Sequence, residues 1–284
     1  MLDHFRAKGP KFWWVVTSGL THVLDHKSLS KAQKVLFELD VDAYLYLMDN
    51  AVLGSPTFPA AYLLTRKSYM VLRPIYDLLP IVMILCYAIN LKWGNGRTVL
   101  TAFAANFLIG SCMYLIVPAC GPAFAFERDF PLGHPSVSTE LMRVSESPNA
   151  IPSLHVSAAI LLVMFAGKRP ALRFLAWLYL VGTAAATLAL GEHYLIDLVV
   201  AVPFAAFAAL IARGRILAAC GNLALVVVWL LSIRFATPSL IAYPNLLRAW
   251  VTGTIFLAVY SFNSRVQFTK QPSGVVMRLA RLWA

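Results

Sequence analysis

Charged side chains are scarce in this chain of 284 residues. Lysine, arginine, aspartate and glutamate make up only 13% of it, whereas 60% is hydrophobic. Because the apolar share of soluble domains is close to half, this composition indicates a multi-pass membrane protein. The formal net charge is +11. Its basic residues cluster in short loops, so we expect them to orient the chain and to meet anionic lipid headgroups, and nucleic acid is not an expected partner.

Cysteine is also scarce. Three of the four cysteines, Cys86, Cys112 and Cys220, lie inside apolar runs, and Cys120 lies just past one. None forms a pair with metal-site spacing, so we interpret them as small interior residues. The apolar stretch at 11–16 lacks the length and the small-residue cleavage site of a secretory signal, so insertion is expected to depend on internal segments. No repeat, low-complexity tract or linker divides the membrane part, which favours one domain.

Apolar windows of spanning length predict an all-α, polytopic membrane fold. Residues 1–74 are more amphipathic than spanning, and they predict interfacial helices or a re-entrant hairpin. Residues 75–262 form the predicted transmembrane domain, and residues 263–284 are expected to form a basic cytoplasmic tail. The windows lie at 75–92, 98–118, 151–167, 171–190, 194–212, 217–233 and 246–262.

If these windows alternate in direction, the segments that carry polar clusters share one end of the bundle. The long loop at 119–150, rich in proline and glycine, then lies at that end and is expected to form an ordered loop or lid. The opposite end is strongly basic, so we expect it to be cytoplasmic and the polar end to be extracytoplasmic. Three further cations oppose this orientation unless the N-terminal region adds a crossing: Arg66, Lys67 and Arg73. The basic residues at the opposite end are Lys92, Arg97, Lys168, Arg169, Arg173, Arg213 and Arg215.

His193 and Asp197 lie four residues apart at the start of a predicted helix. That spacing places both side chains on one face, one turn apart. If the carboxylate accepts the proton of one imidazole nitrogen, the other nitrogen presents its lone pair as a nucleophile or base. The alternative is an aspartate at the positive helix end that holds a structural histidine.

His155 follows Pro152 by three residues, which suits the first helical turn, and Ser153 offers a hydroxyl there. Exposed amides at such a helix end favour phosphate. A second histidine at the same end could supply the acid that phosphoryl transfer needs for its departing oxygen. The alternative for a lone histidine is a side chain that reaches to the membrane interface.

Together these residues resemble the type 2 phosphatidic acid phosphatase (PAP2) superfamily. The motifs that carry the resemblance are Asn149 to His155, which ends in Pro-Ser-x-His, and Gly191 to Asp197, which contains His-Tyr-x-x-Asp. The resemblance covers roughly 75–235 and implies a six-helix core, to which residues 246–262 would add a C-terminal helix. It also implies that His193 forms a phosphohistidine, that Asp197 orients it, and that His155 protonates the leaving group and then activates the acceptor.

The chain departs from the usual phosphatase pattern at three cationic positions. Tyr114 stands where a lysine is expected, Gly121 where an arginine precedes Pro122, and Thr187 where an arginine precedes the nucleophile by six residues. These departures, with Pro118 to Pro122 as the first motif, resemble the inositolphosphotransferase-like branch, related to inositol phosphorylceramide synthases. That resemblance implies movement of a phosphorylated headgroup between lipids.

Another group must therefore hold the phosphate. The candidates are the amides near Gly121 and Ser153 and the cations of the N-terminal region and the long loop. The predicted set of phosphate- and substrate-binding residues is Ser153, Gly121, Pro122, Tyr194, Asn149, Arg128 and Arg143.

The preferred hypothesis is a lipid phosphotransferase that needs no metal or cofactor. Its partners would be the bilayer, a phosphorylated lipid donor and a hydroxyl acceptor. A lipid phosphate phosphatase uses the same residues, since only the attacking hydroxyl differs. A proton-coupled transporter with a histidine relay is a second class of function. A zinc site built from His155, His193 and Asp197, with His134, is the third. The sequence leaves the donor, acceptor and oligomeric state open.

Overall fold

A computed structural model describes residues 41–54, 66–126 and 149–263. This part of the chain is 82% helix and contains no strand, which confirms the predicted all-α class. Its helices are α1 (Val41–Leu53), α2 (Arg66–Asp77), α3 (Leu79–Lys92), α4 (Gly96–Met113), α5 (Pro122–Ala125), α6 (Leu154–Phe165), α7 (Pro170–Ala189), α8 (Leu195–Ala212), α9 (Ile216–Phe235), α10 (Thr237–Ala242) and α11 (Pro244–Asn263).

Each apolar window predicted from the sequence coincides with a helix. Within the described ranges, α7, α8 and α9 are long and apolar enough to cross a membrane. A fourth span results if Ser68–Asp77 and Leu79–Lys92, which are bent by 44° at Leu78, form one crossing. That crossing would begin at Ser68, before the start of the predicted window at residue 75, because α2 precedes α3 in it. The structure supports a membrane protein with three to four such helices.

Helix α8 is the central helix of the bundle. It is buried along nearly its whole length and contacts α1, α4, α6, α9 and α11. Its sequence alternates alanines with large apolar residues, and small residues let neighbouring backbones approach closely. The packing is equally close where α4 passes α6, since a Cβ at Gly110 would collide with the Leu154 side chain. This central helix fixes the positions of the residues at its own N-terminus.

One end of the bundle, here called the site end, collects the ends of α4 and α7 and the starts of α6 and α8. The opposite end carries the cations that the sequence grouped together. There Arg213 donates to the Met164 carbonyl at 3.2 Å, and the Arg169 guanidinium lies 4.8 Å from the Trp93 ring. The helices therefore alternate in direction as the sequence predicted, and these cations lie at the end of the bundle opposite the site end.

Helix α1 lies across the site end. Asp42, near its start, contacts Cys120, Met48 contacts the Thr237 hydroxyl, and Val52, near its end, accepts a bond from Arg248. Leu45 and Met48 are fully buried. Within the predicted interfacial region of 1–74, this segment therefore belongs to the packed interior of the bundle. Residues 1–40 and 55–65 lie outside the described residues, so the division at residue 74 stays a prediction.

Candidate active site

Three motif segments meet at the site end. They are residues 118–122, which follow α4, residues 149–155, which lead into α6, and residues 191–197, which lead into α8. Direct backbone bonds join them in pairs: Ala150 donates to the Ala119 carbonyl at 2.9 Å, Ser153 to the Asp197 carbonyl at 3.3 Å, and Ala123 to the Gly191 carbonyl at 2.9 Å. Backbone contacts of this kind hold the motifs at a fixed separation.

His193 and Asp197 form the pair that their spacing predicts. The Nδ1 atom of His193 lies 3.3 Å from Oδ2 of Asp197. Both side chains are buried, with 4% of His193 and none of Asp197 exposed. Asp197 is fixed in turn, because its Oδ2 accepts the Tyr194 N–H at 2.8 Å. With an ionised Asp197, the proton resides on Nδ1 and the lone pair on Nε2, which is the arrangement that a nucleophile needs.

His155 lies in the first turn of α6. The Ser153 hydroxyl caps this helix by accepting the Val156 N–H at 3.4 Å. The His155 ring stacks on Tyr76 of α2, with ring centroids 3.9 Å apart and an angle of 14° between the planes. Ser153, two residues before His155, donates its N–H to the Asp197 carbonyl at 3.3 Å, which places the start of α6 beside the start of α8. The three predicted catalytic side chains therefore lie together at one end of the bundle.

Gly121 lets the first motif lie directly against the third. Its φ of 87° and ψ of 153° belong to a region that is essentially restricted to glycine. A Cβ at this position would collide with the Glu192 carbonyl oxygen, one residue before His193. Pro122 follows as the first residue of α5 and is buried. The glycine at the position of the expected arginine thus has a steric role here.

The other two positions that carry cations in the usual phosphatase pattern hold neutral side chains. The Tyr114 hydroxyl donates to the Pro152 carbonyl at 3.4 Å. The Thr187 hydroxyl donates to the Thr183 carbonyl at 2.6 Å, within its own helix. Both side chains are buried. These positions therefore contribute packing and hydrogen bonds, and no positive charge.

Asp42 was not anticipated from the sequence. Its Oδ1 accepts the N–H of Cys120 at 3.0 Å, the N–H of Gly121 at 3.2 Å and the hydroxyl of Tyr194 at 2.9 Å. Burial raises the pKa of Tyr194 well above its usual range, and the adjacent Asp42 charge raises it further, so the phenol remains a donor. One carboxylate thereby joins the first and third motifs.

Asp49 lies seven residues after Asp42 on the same helix face. It accepts the N–H groups of Leu195 at 2.7 Å and Ile196 at 3.0 Å, the first two residues of α8. Burial raises the pKa of Asp49 well above its usual range, while the bond from Leu195 opposes this shift. Two acidic residues in an apolar segment were the available sequence signal, because buried charge in such a segment usually has a function.

The remaining predicted binding residues have different surroundings. Asn149 is exposed at the start of its segment, and Tyr194 is fully buried. Arg128 and Arg143, like His134, lie outside the described residues. Arg66 and Lys67 belong to the first turn of α2. Arg73 of the same helix is the predicted cation that the structure places beside the third motif, because it pairs with Glu192.

The amides that the sequence suggested for phosphate binding have partners inside the protein. The Cys120 and Gly121 N–H groups donate to Asp42, and the Ser153 N–H donates to the Asp197 carbonyl. Among the residues that the structure describes, no group of three or more His, Cys, Asp and Glu side chains is arranged to hold a metal ion.

Comparison with known families decides the membership of this chain. The family model described as the PAP2 superfamily matches residues 43–211, which is more than half of the chain. The chain belongs to the PAP2 superfamily. The match begins in α1 and ends in α8, so it contains all three motif segments. No curated protein and no solved structure matches the chain.

PAP2 membership confirms the resemblance noted in the sequence at the level of the superfamily. It indicates a function of the phosphatase or phosphotransferase type on lipid phosphates. His155, His193 and Asp197 lie inside the matched range. The branch within the PAP2 superfamily and the choice between transfer to an alcohol and hydrolysis are proposals.

Proposed function

We propose that this PAP2 protein is an integral membrane lipid phosphotransferase that works through a phosphohistidine. The observation that carries the proposal is the buried His193–Asp197 pair, with His155 at the same end of the bundle, in the first turn of α6. In the first step, Nε2 of His193 forms a bond to phosphorus while the bond to the leaving oxygen breaks. His155 gives its proton to that oxygen.

In the second step, the hydroxyl of an acceptor attacks the phosphohistidine. His155 takes the proton of this hydroxyl, the N–P bond breaks, and His193 returns to its starting state. Asp197 holds the imidazole in one tautomer throughout. The reaction thus needs two imidazoles and one carboxylate, and neither a metal nor a cofactor.

Two features favour transfer to a lipid alcohol over hydrolysis. His193 is only 4% exposed, and a site that excludes water protects a reactive intermediate from hydrolysis. In addition, the chain resembles the inositolphosphotransferase-like branch in having neutral residues at three cationic positions of the phosphatase pattern: Tyr114, Gly121 and Thr187. The related alternative, a phosphatase for phosphatidic acid or a polyprenyl phosphate, differs only in using water as the acceptor.

The proposal includes a six-helix core with α11 as an extra C-terminal helix, and an active site on the extracytoplasmic face. The cations at the opposite end of the bundle support this orientation, because cytoplasmic loops are enriched in lysine and arginine. Ser153, Gly121, Pro122, Tyr194, Asn149, Arg128 and Arg143 remain the proposed substrate-binding set. Residues 263–284 would then be a cytoplasmic tail.

A quench in alkaline denaturant tests the phosphohistidine, because its N–P bond survives base but is hydrolysed in acid. Purified full-length protein is incubated with lipids that carry radiolabelled phosphate, then quenched and assayed for acid-labile label on histidine. We expect label on the wild type, none on His193→Ala, and wild-type label on His26→Ala, a histidine outside the family match. Normal turnover by a folded His193→Ala protein would refute the proposal, and so would turnover that depends on added zinc after chelation.

A substrate panel separates transfer from hydrolysis. Phosphatidic acid, polyprenyl phosphates and phosphoinositides are supplied with and without ceramide or diacylglycerol, and products are identified by mass. We expect a new phosphorylated lipid whose formation requires the alcohol acceptor. Release of inorganic phosphate at an unchanged rate with every acceptor would identify a phosphatase instead.

A further inference from the structure

The phosphoryl group of a lipid substrate carries negative charge, yet in the described part of this site the three motif positions that usually supply cations hold neutral residues. Tyr114, Gly121 and Thr187 occupy the cationic positions of the usual phosphatase pattern. The N–H groups of Cys120 and Gly121 donate to Asp42, and the N–H of Ser153 donates to the Asp197 carbonyl. A cation from elsewhere in the chain would supply what these groups do not.

Helix α2 lies beside the position where the third-motif arginine would stand. Tyr76 of α2 packs in a buried cluster with Ala186 of α7 and Leu190, the residue after α7, and these two lie on either side of Thr187 in the sequence. The Tyr179 hydroxyl of α7 also donates to the Ile75 carbonyl at 3.1 Å. The two helices are therefore held side by side, and a long side chain on α2 can reach the site that Thr187 leaves without charge.

Arg73 is that side chain. It donates from its guanidinium to Glu192 at 3.1 Å and to Asp77 at 3.0 Å. Its guanidinium carbon lies 5.7 Å from the centre of the Tyr76 ring, and the His155 ring stacks on the same Tyr76 ring, with centroids 3.9 Å apart. Arg73 is thus connected to the residue before His193 and to the ring that positions His155.

Two other described arginines at the site end have different contacts. Arg234 donates to the Ile116 carbonyl at 3.4 Å, and Arg248 donates to the Val52 carbonyl at 3.0 Å. Only Arg73 among these three pairs with a carboxylate of the third motif. Its side chain is 39% exposed, so it can exchange a partner without disrupting the packed interior.

We propose that Arg73 binds the phosphoryl oxygens of the substrate and replaces, from a neighbouring helix, the cations absent from the motifs. In the structure Glu192 and Asp77 hold the guanidinium. When substrate binds, phosphoryl oxygens take the place of Glu192, and Asp77 keeps the arginine oriented. Arginine suits this role because its planar fork can donate two parallel bonds to phosphate. The inference rests on the proposed phosphohistidine function.

Orthovanadate, a tetrahedral phosphate mimic, tests this binding without requiring turnover. Its dissociation constant is measured on the purified full-length protein for the wild type, Arg73→Gln, Arg73→Lys, Glu192→Gln and His193→Ala. Arg248→Gln is the matched control, since it removes an arginine from the same end of the bundle. Thermal unfolding in detergent is recorded for each protein, so that loss of fold is separated from loss of affinity.

We expect Arg73→Gln to weaken vanadate binding about 10- to 100-fold, the range of one lost charge-assisted bond pair. Arg73→Lys should retain part of the affinity, Glu192→Gln should tighten binding because a competing carboxylate is gone, and Arg248→Gln should match the wild type. If Arg73→Gln misfolds, the other two variants still test the proposal, because it predicts weaker binding in Arg73→Lys and tighter binding in Glu192→Gln.

The outcomes for the two proposals are distinct. Unchanged affinity in folded Arg73→Gln, with affinity lost in His193→Ala, overturns the role of Arg73 and leaves the phosphohistidine proposal standing. An equal loss in Arg248→Gln also overturns it, because the effect would be general to positive charge at this end. Absence of vanadate binding by the wild type contradicts both proposals.

Discussion

Single residues at this site act through the backbone as much as through their side chains. Gly121 is the clearest case, because it brings the first motif into contact with the Glu192 carbonyl. Its N–H also donates to Asp42 at 3.2 Å. A displacement of this residue would therefore move Glu192 and the adjacent His193. At the scale of the residue, the geometry around His193 depends on a position that has no side chain.

Replacing Gly121 by alanine is expected to abolish most activity and to destabilise the fold. The backbone conformation alone costs a residue with a side chain about 1–3 kcal/mol, and the collision with Glu192 adds to it. Gly94→Ala is the matched control, because Gly94 has a φ of 78° and open space around an added Cβ. Turnover and thermal unfolding are measured for both variants. Equal effects in the two would show that contact with Glu192 is unimportant.

Helix α1 acts as an element that holds two motifs in place. Asp42 binds the first motif and Tyr194, while Asp49 binds the N-terminus of α8. The two carboxylates lie seven residues apart, so both point from one face of the helix to the site end of the bundle. The positive end of the α8 dipole also stabilises the negative charge of Asp49, which lies at the N-terminus of that helix. A helix that runs across the bundle can thus position residues from separate segments.

Replacing Asp49 by alanine is expected to lower stability by about 1–3 kcal/mol, because two N–H groups at the start of α8 lose their partner. Activity should fall as well, since these groups directly follow His193 and Tyr194. Asn50→Ala on the same helix is the control and should behave like the wild type. The checks are thermal unfolding in detergent and turnover. A variant as stable and active as the wild type would contradict the role of α1.

The molecule as a whole is asymmetric in charge between its two ends. The opposite end carries Arg169, Arg213 and Arg215, which pack against aromatic rings and helix-end carbonyls. The site end carries buried His193 and half-buried His155, and its cations are balanced by acidic residues: Arg66, Lys67, Arg73, Arg234 and Arg248 against Asp42, Asp49, Asp77, Glu192 and Asp197. Because cytoplasmic loops accumulate arginine and lysine, this asymmetry predicts that the site end faces away from the cytoplasm.

Cysteine labelling on intact cells checks this orientation. In a background with the four native cysteines replaced by alanine, Tyr243→Cys reports on the exposed turn between α10 and α11 at the site end. Lys168→Cys reports on the opposite end. We expect a membrane-impermeant maleimide to label only position 243 until the cells are permeabilised. The reverse pattern would place the active site in the cytoplasm.

Much of the bundle was predictable from local pattern. Apolar windows indicated each described helix from α3 onward, except the short α5 and α10, because the apolar runs there are long and uninterrupted. The four-residue spacing of His193 and Asp197 predicted a hydrogen-bonded pair, and the structure has that pair. These predictions needed only helical periodicity, which depends on neighbours within one or two turns.

Contacts between distant segments were not predictable in the same way. Asp42 and Tyr194 are joined across 152 positions of sequence, and Arg73 and Glu192 across 119. Nothing in the spacing of such residues indicates a contact, because their distance is set by how α1 and α2 pack on the bundle. The role of α1 was missed for this reason, although its two aspartates in an apolar segment were visible.

By itself, the sequence determined the membrane setting, the helical class, the two motif histidines and the aspartate that orients one of them. Composition and periodicity are local properties, so the order of residues along the chain is enough to specify them. Only the tertiary structure decided which elements surround those histidines. Helix α1 across the site end, Tyr76 on His155 and Arg73 beside Glu192 all result from packing, which joins surfaces that no local pattern relates.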